Sequence, residues 1–163
     1  MIELKEYRDT WLLEKSNDVI GFYTREFYCL DNFSSFKVKY DGYLYSTVEE
    51  AYQSLKFKGV ADEVYNKIIS SYSADEALRI ARKYKALQRP DWDNIKVGIM
   101  EQLLRNKLEQ NPYVKKKLPQ TGNYTIVEDS TKDDFWGWGK DRTGQNQLGK
   151  IWIKLRLELQ ETK

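Results

Sequence analysis

The segment Asp133–Lys150, DDFWGWGKDRTGQNQLGK, gathers two tryptophans, four glycines and the acids Asp133 and Asp134 just before an amphipathic stretch. Packing alone seldom asks for that mixture. Desolvation beside a bulky apolar group alters a carboxylate's proton affinity, so Asp133, close to Phe135 and Trp136, is a candidate acid or base. Trp136 and Trp138 offer flat stacking surfaces. Gly137, Gly139, Gly144 and Gly149 suggest positive φ angles or close approach of the backbone to a ligand. Gly144, Asn146 and Gly149 would also bring backbone N–H groups to a helix start, where an anion can be held. The opposing reading makes Asp133 a turn or cap residue and Trp136 a core anchor. The residues alone leave both open.

A second set of reactive types lies upstream. Glu49, Gln53 and Lys56 stand at i, i+4 and i+7, so on a helix they line one narrow polar stripe. The stripe lies about 110° from the centre of the apolar face formed by Val48, Ala51, Tyr52 and Leu55, where a side chain is half-buried at the edge of a cleft. A carboxylate there suits acid–base work. The plainer reading, a solvated face whose Glu and Lys stand too far apart to pair well, is the one the residues alone favour.

Composition narrows the chemistry. The chain has 163 residues, one cysteine (Cys29) and no histidine. That excludes an internal disulfide, a Cys/His zinc site and any imidazole base, and leaves carboxylates, lysine and tyrosine. No metal or cofactor is implied. Lys+Arg 27 against Asp+Glu 25 gives a net charge of +2, too small for nonspecific nucleic-acid binding, so an anionic ligand needs a local cluster. The basic run Lys115–Lys117 reads as solvated. MIELKEYRDTW lacks the apolar core of a signal peptide, and no apolar run approaches the ~20 residues of a spanning helix. The expectation is a cytoplasmic protein with no membrane partner.

These residues need elements to hold them. Val19 to Tyr45 is strand-like, and Asp41-Gly42 between the runs FKVKY and YLYS is a strong hairpin signal. The N-terminal quarter is therefore expected to be β. Thr47 with Glu50, and Ser73 with Glu76, form capping boxes that open helices. Further helices are expected over about Asp62–Ser71, over Trp92–Leu108 with both faces largely buried, and from about Gln147 with Leu148, Ile151, Trp152, Leu155 and Leu159 on one stripe. Asn111-Pro112 permits a short helix ended by Pro119 and Gly122, and Tyr124–Val127 reads as one more strand. The fold class is α+β and predominantly helical, with an N-terminal β-hairpin or small sheet packed against a multi-helix bundle. One domain, 1–163, is expected.

Taken in order, several blocks resemble the NADAR family, the YbiA-like domains associated with NAD and ADP-ribose metabolism. LDNFSSF at Leu30–Phe36 is similar to its L-S-N-F block, and DGYLYSTVEEAYQSLKF at Asp41–Phe57 to its G-x-x-Y-x-x-x-E-x-x-x-Q-x-x-K block. RPDWDNIKVGIMEQLLRNKLEQNP at Arg89–Pro112 resembles the block in which a tryptophan leads into a long helix. Thr121-Gly122, Glu128 and Asp133–Lys150 match the remaining blocks. Two departures stand out: Asp31 occupies a position usually serine, and the Gly-Arg pair often found after the third helix is absent, Lys85-Ala86 following instead. If that arginine holds a phosphate, Arg82 or Arg89 must substitute, or the substrate differs.

The resemblance implies an N-glycosidase acting between a ribose C1′ and a nitrogen. Its substrate would be a small-molecule nucleotide, such as a phosphorylated ribosylamino-pyrimidine of riboflavin synthesis, or ADP-ribosylated guanine, alone or within nucleic acid. By position it implies Glu49, Asp133 and Lys56 as catalytic residues. Asn32, Phe33, Gln53, Trp92, Trp136, Gly137, Asn146 and Gly149 would bind substrate. In these roles Glu49 is general base or cation stabiliser, Asp133 orients ribose hydroxyls or water, and Lys56 contacts phosphate or balances charge. Trp92 and Trp136 stack on the base, and Asn32 and Asn146 hydrogen-bond ribose or base. Which carboxylate dominates stays open, and a non-catalytic ADP-ribose or nucleotide-binding module is the alternative.

Overall fold

Phe27, Tyr28 and Cys29 alternate buried, exposed and buried, as residues of the expected strand would. The period breaks at Leu30, which in a strand would share a face with the exposed Tyr28 yet is wholly buried. In the computed structural model, which describes residues 19–21 and 25–162, Arg25–Leu30 is a 3-10 helix turning at Phe27. Only β1 (Val19–Gly21) is extended before it. The expectation of a β N-terminal quarter is corrected accordingly, and its share in residues 1–18 and 22–24 lies outside the described residues. No described helix is long and apolar enough to cross a membrane.

The described residues cluster into two compact units, one spanning 32–111 and the other joining residues up to 31 with 112–163. In the first, β2 (Val38–Tyr40) pairs antiparallel with β3 (Tyr43–Tyr45) across Asp41 and Gly42, both at positive φ, as the hairpin reading expects. Helices α1 (Val48–Leu55), α2 (Asp62–Ile69), α3 (Ala74–Lys83) and α4 (Trp92–Gln110) follow. Both capping boxes form: the Glu50 N–H donates to Thr47 Oγ1 (3.0 Å) and the Glu76 N–H to Ser73 Oγ (3.1 Å). Each glutamate reaches back one residue beyond the cap, to the N–H of Ser46 (2.5 Å) and of Tyr72 (2.6 Å). Such caps contribute about 1 kcal/mol each and fix where the helix begins.

Helix α1 packs against α2, α3, α4 and the hairpin, so all eight of its residues are buried. Of the half-buried stripe expected there, Glu49 and Gln53 are buried instead, and Lys56, just past the helix, is half-buried. Burial of side chains such as Val48, Leu55, Leu103 and Leu104 stabilises the unit by roughly 1.5–3 kcal/mol apiece. Helix α4 buries Met100, Leu103, Leu104, Lys107 and Leu108 while Val97 is exposed, so only one stripe beyond Trp92 is buried, not both faces. Its polar residues cover the free edge of β2. Gln110 accepts from the Lys39 N–H (2.7 Å) and, with Asn106, donates to the Lys39 carbonyl. Unpaired strand edges invite foreign pairing, and this cover removes the opportunity.

In the second unit, β1 pairs parallel with β4 (Thr125–Val127), Ile20 opposite Ile126. Helix α5 (Pro112–Lys117) ends in a 3-10 turn, Leu118–Thr121, that contains Pro119 and is closed by Gly122 at φ 58°, as the short-helix reading expects. Helix α6 (Gln147–Glu161) buries Leu148, Ile151, Trp152 and Leu155, and Trp152 Nε1 donates to the Leu30 carbonyl (3.0 Å). Lys117 is not simply solvated, as the basic-run reading supposed. It pairs with Glu26 (3.3 Å) and lies over the rings of Phe27 and Tyr113.

Candidate active site

The Asn32 carbonyl accepts the Glu49 N–H at 3.1 Å, bringing the LDNFSSF block onto the first turn of α1. Lys107, wholly buried, fixes the same block by donating to Ser34 Oγ (2.9 Å) and lying over the Phe36 ring. Sequence reasoning passed over Lys107. Its signal was a lysine on the apolar stripe of α4, one turn beyond Leu103. Phe33 in that block is half-buried.

Glu49 and Gln53 are 6% and 4% exposed, and Gln53 Nε2 donates to Glu49 Oε1 at 2.7 Å. Lys56 follows one turn later, its ammonium 5.2 Å from the centre of the Tyr52 ring and 6.0 Å from that of Trp92. The two rings are tilted by 58° with centroids 5.1 Å apart. Burial pushes the Lys56 amine down to about 8, Glu49 opposes the shift, and Lys85, Lys96 and Arg82 add to it. A buried amine so poised exists partly unprotonated near neutral pH. Trp92 is only 3% exposed and leans on Tyr52, so it walls this site and presents no open face. Tyr52 was counted only as core.

Two buried acceptors here, Asn32 Oδ1 and Gln53 Oε1, have no hydrogen-bond partner among the described residues. The Asn32 amide nitrogen reaches only Met100 Sδ (3.5 Å), a weak acceptor. An unmet buried polar group costs about 1–3 kcal/mol, which a ligand bringing donors would recover.

The loop before α6 is organised by its main chain. Asp133 Oδ1 accepts from the N–H groups of Phe135 (3.0 Å) and Trp136 (2.8 Å), the turn role that was one of its two readings. Half-buried Trp136 meets Phe135 edge-on at 4.9 Å. The N–H groups of Asn146, Gln147 and Leu148 donate to the carbonyls of Gly137, Phe135 and Trp136. The Gly144 N–H donates to the Trp138 carbonyl (2.7 Å), so two of the three donors read as an anion site at this helix start, Gly144 and Asn146, are engaged within the loop. Asn146 sits at φ 49° and braces β4: its Oδ1 accepts from the Glu128 N–H and its Nδ2 donates to the Ile126 carbonyl, both 2.9 Å. A Cβ on Gly149 would collide with the Ile126 carbonyl and the Asn146 amide, and one on Gly137 would lie 2.7 Å from the Glu128 carbonyl. Close approach is real, but to backbone. Beside this loop Glu128 and Asp129 are buried, and Asp129 carried no signal distinguishing it from a surface acid. Among the described residues no group of His, Cys, Asp and Glu could hold a metal ion.

A family model described as the NADAR domain matches residues 21–160. The chain belongs to the NADAR family. Among NADAR relatives, it is 37% identical over 132 residues to a riboflavin biosynthesis protein of Vibrio vulnificus, covering 81% of this chain and 35% of that protein. It thus spans about a third of that relative's length. Identity is 33% to an N-glycosidase of Nostoc punctiforme (80% of this chain, 85% of the relative) and 31% to the N-glycosidase YbiA of Escherichia coli K12 (86% and 88%). The NMR structure of Escherichia coli YbiA superposes with a TM-score of 0.80 at 27% identity, covering 94% of this chain and 90% of the other. The NADAR fold is thereby shared, α+β with short strands and many helices. The enzyme class is that of hydrolases acting on N-glycosyl bonds.

Proposed function

We propose that the chain, as one NADAR domain over residues 1–163, hydrolyses the bond between a ribose C1′ and a nitrogen. Its substrate would be a phosphorylated ribosylamino-pyrimidine of riboflavin synthesis or ADP-ribosylated guanine. The supporting observation is the α1 cluster, in which a buried carboxylate bonded to Gln53 shares one helix face with an amine lowered to about 8. Cleavage at an anomeric carbon passes through an oxocarbenium-like state, which requires negative charge near C1′, an activated water and a protonated leaving nitrogen. Glu49 supplies the charge and takes the water's proton. Asn32 Oδ1 and Gln53 Oε1 are acceptors for ribose hydroxyls or base N–H groups. Trp136, Phe33 and Asp133 serve substrate placement, while Gly137, Asn146 and Gly149 build the loop that carries Trp136.

A second chemical route is favoured by the Lys56 amine itself. Unprotonated, its Nζ attacks C1′ as the C1′–N bond breaks, the bonding pair leaving with the base, which takes up the proton that Nζ sheds. The resulting C1′–lysine adduct opens to an imine, and water hydrolyses it to free sugar and amine. Incubation with each N-glycoside followed by chromatography for free base tests the activity, and release from neither refutes it. Borohydride added during turnover separates the routes. A reduced sugar adduct on Lys56 supports the amine nucleophile, and its absence leaves the route through water.

A further inference from the structure

Lys56 closes α1 four residues past Tyr52, the spacing that lays one side chain over another on a helix face. Its Nζ stands 5.2 Å from the centre of the Tyr52 ring and 6.0 Å from that of Trp92, the first residue of α4. Both distances are within cation–π reach. The rings meet at 58° with their centroids 5.1 Å apart, and since both are buried they form a dry aromatic corner against which the lysine head rests. A desolvated ring face attracts a cation more strongly than one in water.

An ammonium carries three donors, which in proteins usually meet a carboxylate, a carbonyl or a hydroxyl. Lys56 Nζ makes no hydrogen bond or ion pair among the described residues, so the two ring faces are what the protein itself offers its charge. Other charges act from a distance. Arg82 in the last turn of α3, Lys85 in the 3-10 turn Lys85–Leu87 and Lys96 on α4 all disfavour the ammonium, while Glu49 on its own helix favours it. Arg89, whose N–H donates to the Lys56 carbonyl at 2.8 Å, has its guanidinium paired with Asp91. Burial and three cations thus work to strip the proton, and the ring faces stand with Glu49 in retaining it. Packing between α1 and α4 would be served by any apolar pair of the same volume. Only an aromatic face also attracts the charge.

We propose that Tyr52, braced by Trp92, is the positioning residue for Lys56: its ring face fixes Nζ at the end of α1 and favours the ammonium over the free amine. The glycosidase reading enters only in giving that amine a task at C1′. Under that reading, the strength of the aromatic hold sets the pH at which the amine becomes available.

NMR titration of the Lys56 side chain in the full chain, its signal assigned by its loss in Lys56→Met, tests this without turnover. Tyr52→Phe keeps the face and should leave the titration midpoint little changed. Mono-, di- and trifluorophenylalanine at position 52 should then lower it stepwise, because fluorine drains the negative ring face and nearly preserves its shape. Tyr52→Leu should lower it by roughly 0.5–1.5 pH units. In assays of base release, the inflection of kcat/KM that belongs to Lys56 should move down with the midpoint across the fluorinated series, while Tyr52→Phe keeps the wild-type profile. A midpoint that stays put or rises with fluorination overturns the proposal and reduces the corner to packing, even if Tyr52→Leu does not fold. A stepwise fall in a protein that releases no base sustains the aromatic hold and refutes the glycosidase, whereas base release with an unmoved midpoint refutes the hold alone.

Discussion

The helix Val48–Leu55 and the loop Asp133–Asn146 are both crowded with polar groups, and they use them in opposite ways. In the loop, one Asp133 oxygen takes two turn N–H groups, the Asn146 amide clamps β4, and loop carbonyls accept the first N–H groups of α6. At the helix, Glu49 is buried and Lys56 half-buried, and Gln53 and the neighbouring Asn32 bury acceptors that nothing in the described protein satisfies. Polar groups that satisfy one another make a scaffold. Buried polar groups with unmet capacity cost stability unless a ligand completes them.

Four substitutions break or sharpen that contrast. Glu49→Gln should lower kcat by about 10²–10⁴-fold with an unchanged melting temperature, since it removes the carboxylate but keeps the amide geometry. A comparable loss in Asp133→Asn would erase the distinction between the two regions. Lys56→Met should abolish any trapped adduct, reduce turnover severely, and raise the melting temperature at pH 7. The amine is charged in folded and unfolded states below about 8, so the full burial penalty is present there. Between about 8 and 10.5 the folded state sheds its proton first, the penalty shrinks, and wild-type stability rises with pH relative to the variant. If the free amine is the nucleophile, kcat/KM climbs with pH to about 8 and levels off; a rate falling there would make Lys56 a required cation.

Trp136→Ala should raise KM more than it lowers kcat, by about 1–3 kcal/mol of lost stacking, whereas an unchanged KM would reduce Trp136 to packing. The smallest effect is expected for Asp133→Asn, which keeps an oxygen for both turn N–H groups and removes only charge. A change within about tenfold in kcat and little change in melting temperature fits a loop-shaping residue.

Local chemistry made much of this legible. The Asp-Gly hairpin and both capping boxes appear where short-range steric and hydrogen-bond preferences place them, because such signals need only neighbouring residues. The Phe27–Leu30 segment misled for the same reason, since its strand-like residue types do not reveal the turn that buries Leu30. Glycines 137 and 149 signalled close approach correctly, but the approaching atoms, carbonyls of Glu128 and Ile126, lie at sequence distances no local pattern encodes.

By itself the sequence determined the family, the hairpin, the helix starts and the absence of imidazole chemistry, all carried by residue identity and short spacing. Only the tertiary structure decided which polar groups keep unmet capacity. It enclosed α1 on every side, paired Tyr52 with Trp92 across separate helices, and drew Arg82, Lys85 and Lys96 toward one amine. Desolvation and Coulomb energies depend on where distant segments converge, and that convergence distinguishes Glu49 and Lys56 from a solvated stripe of the same composition.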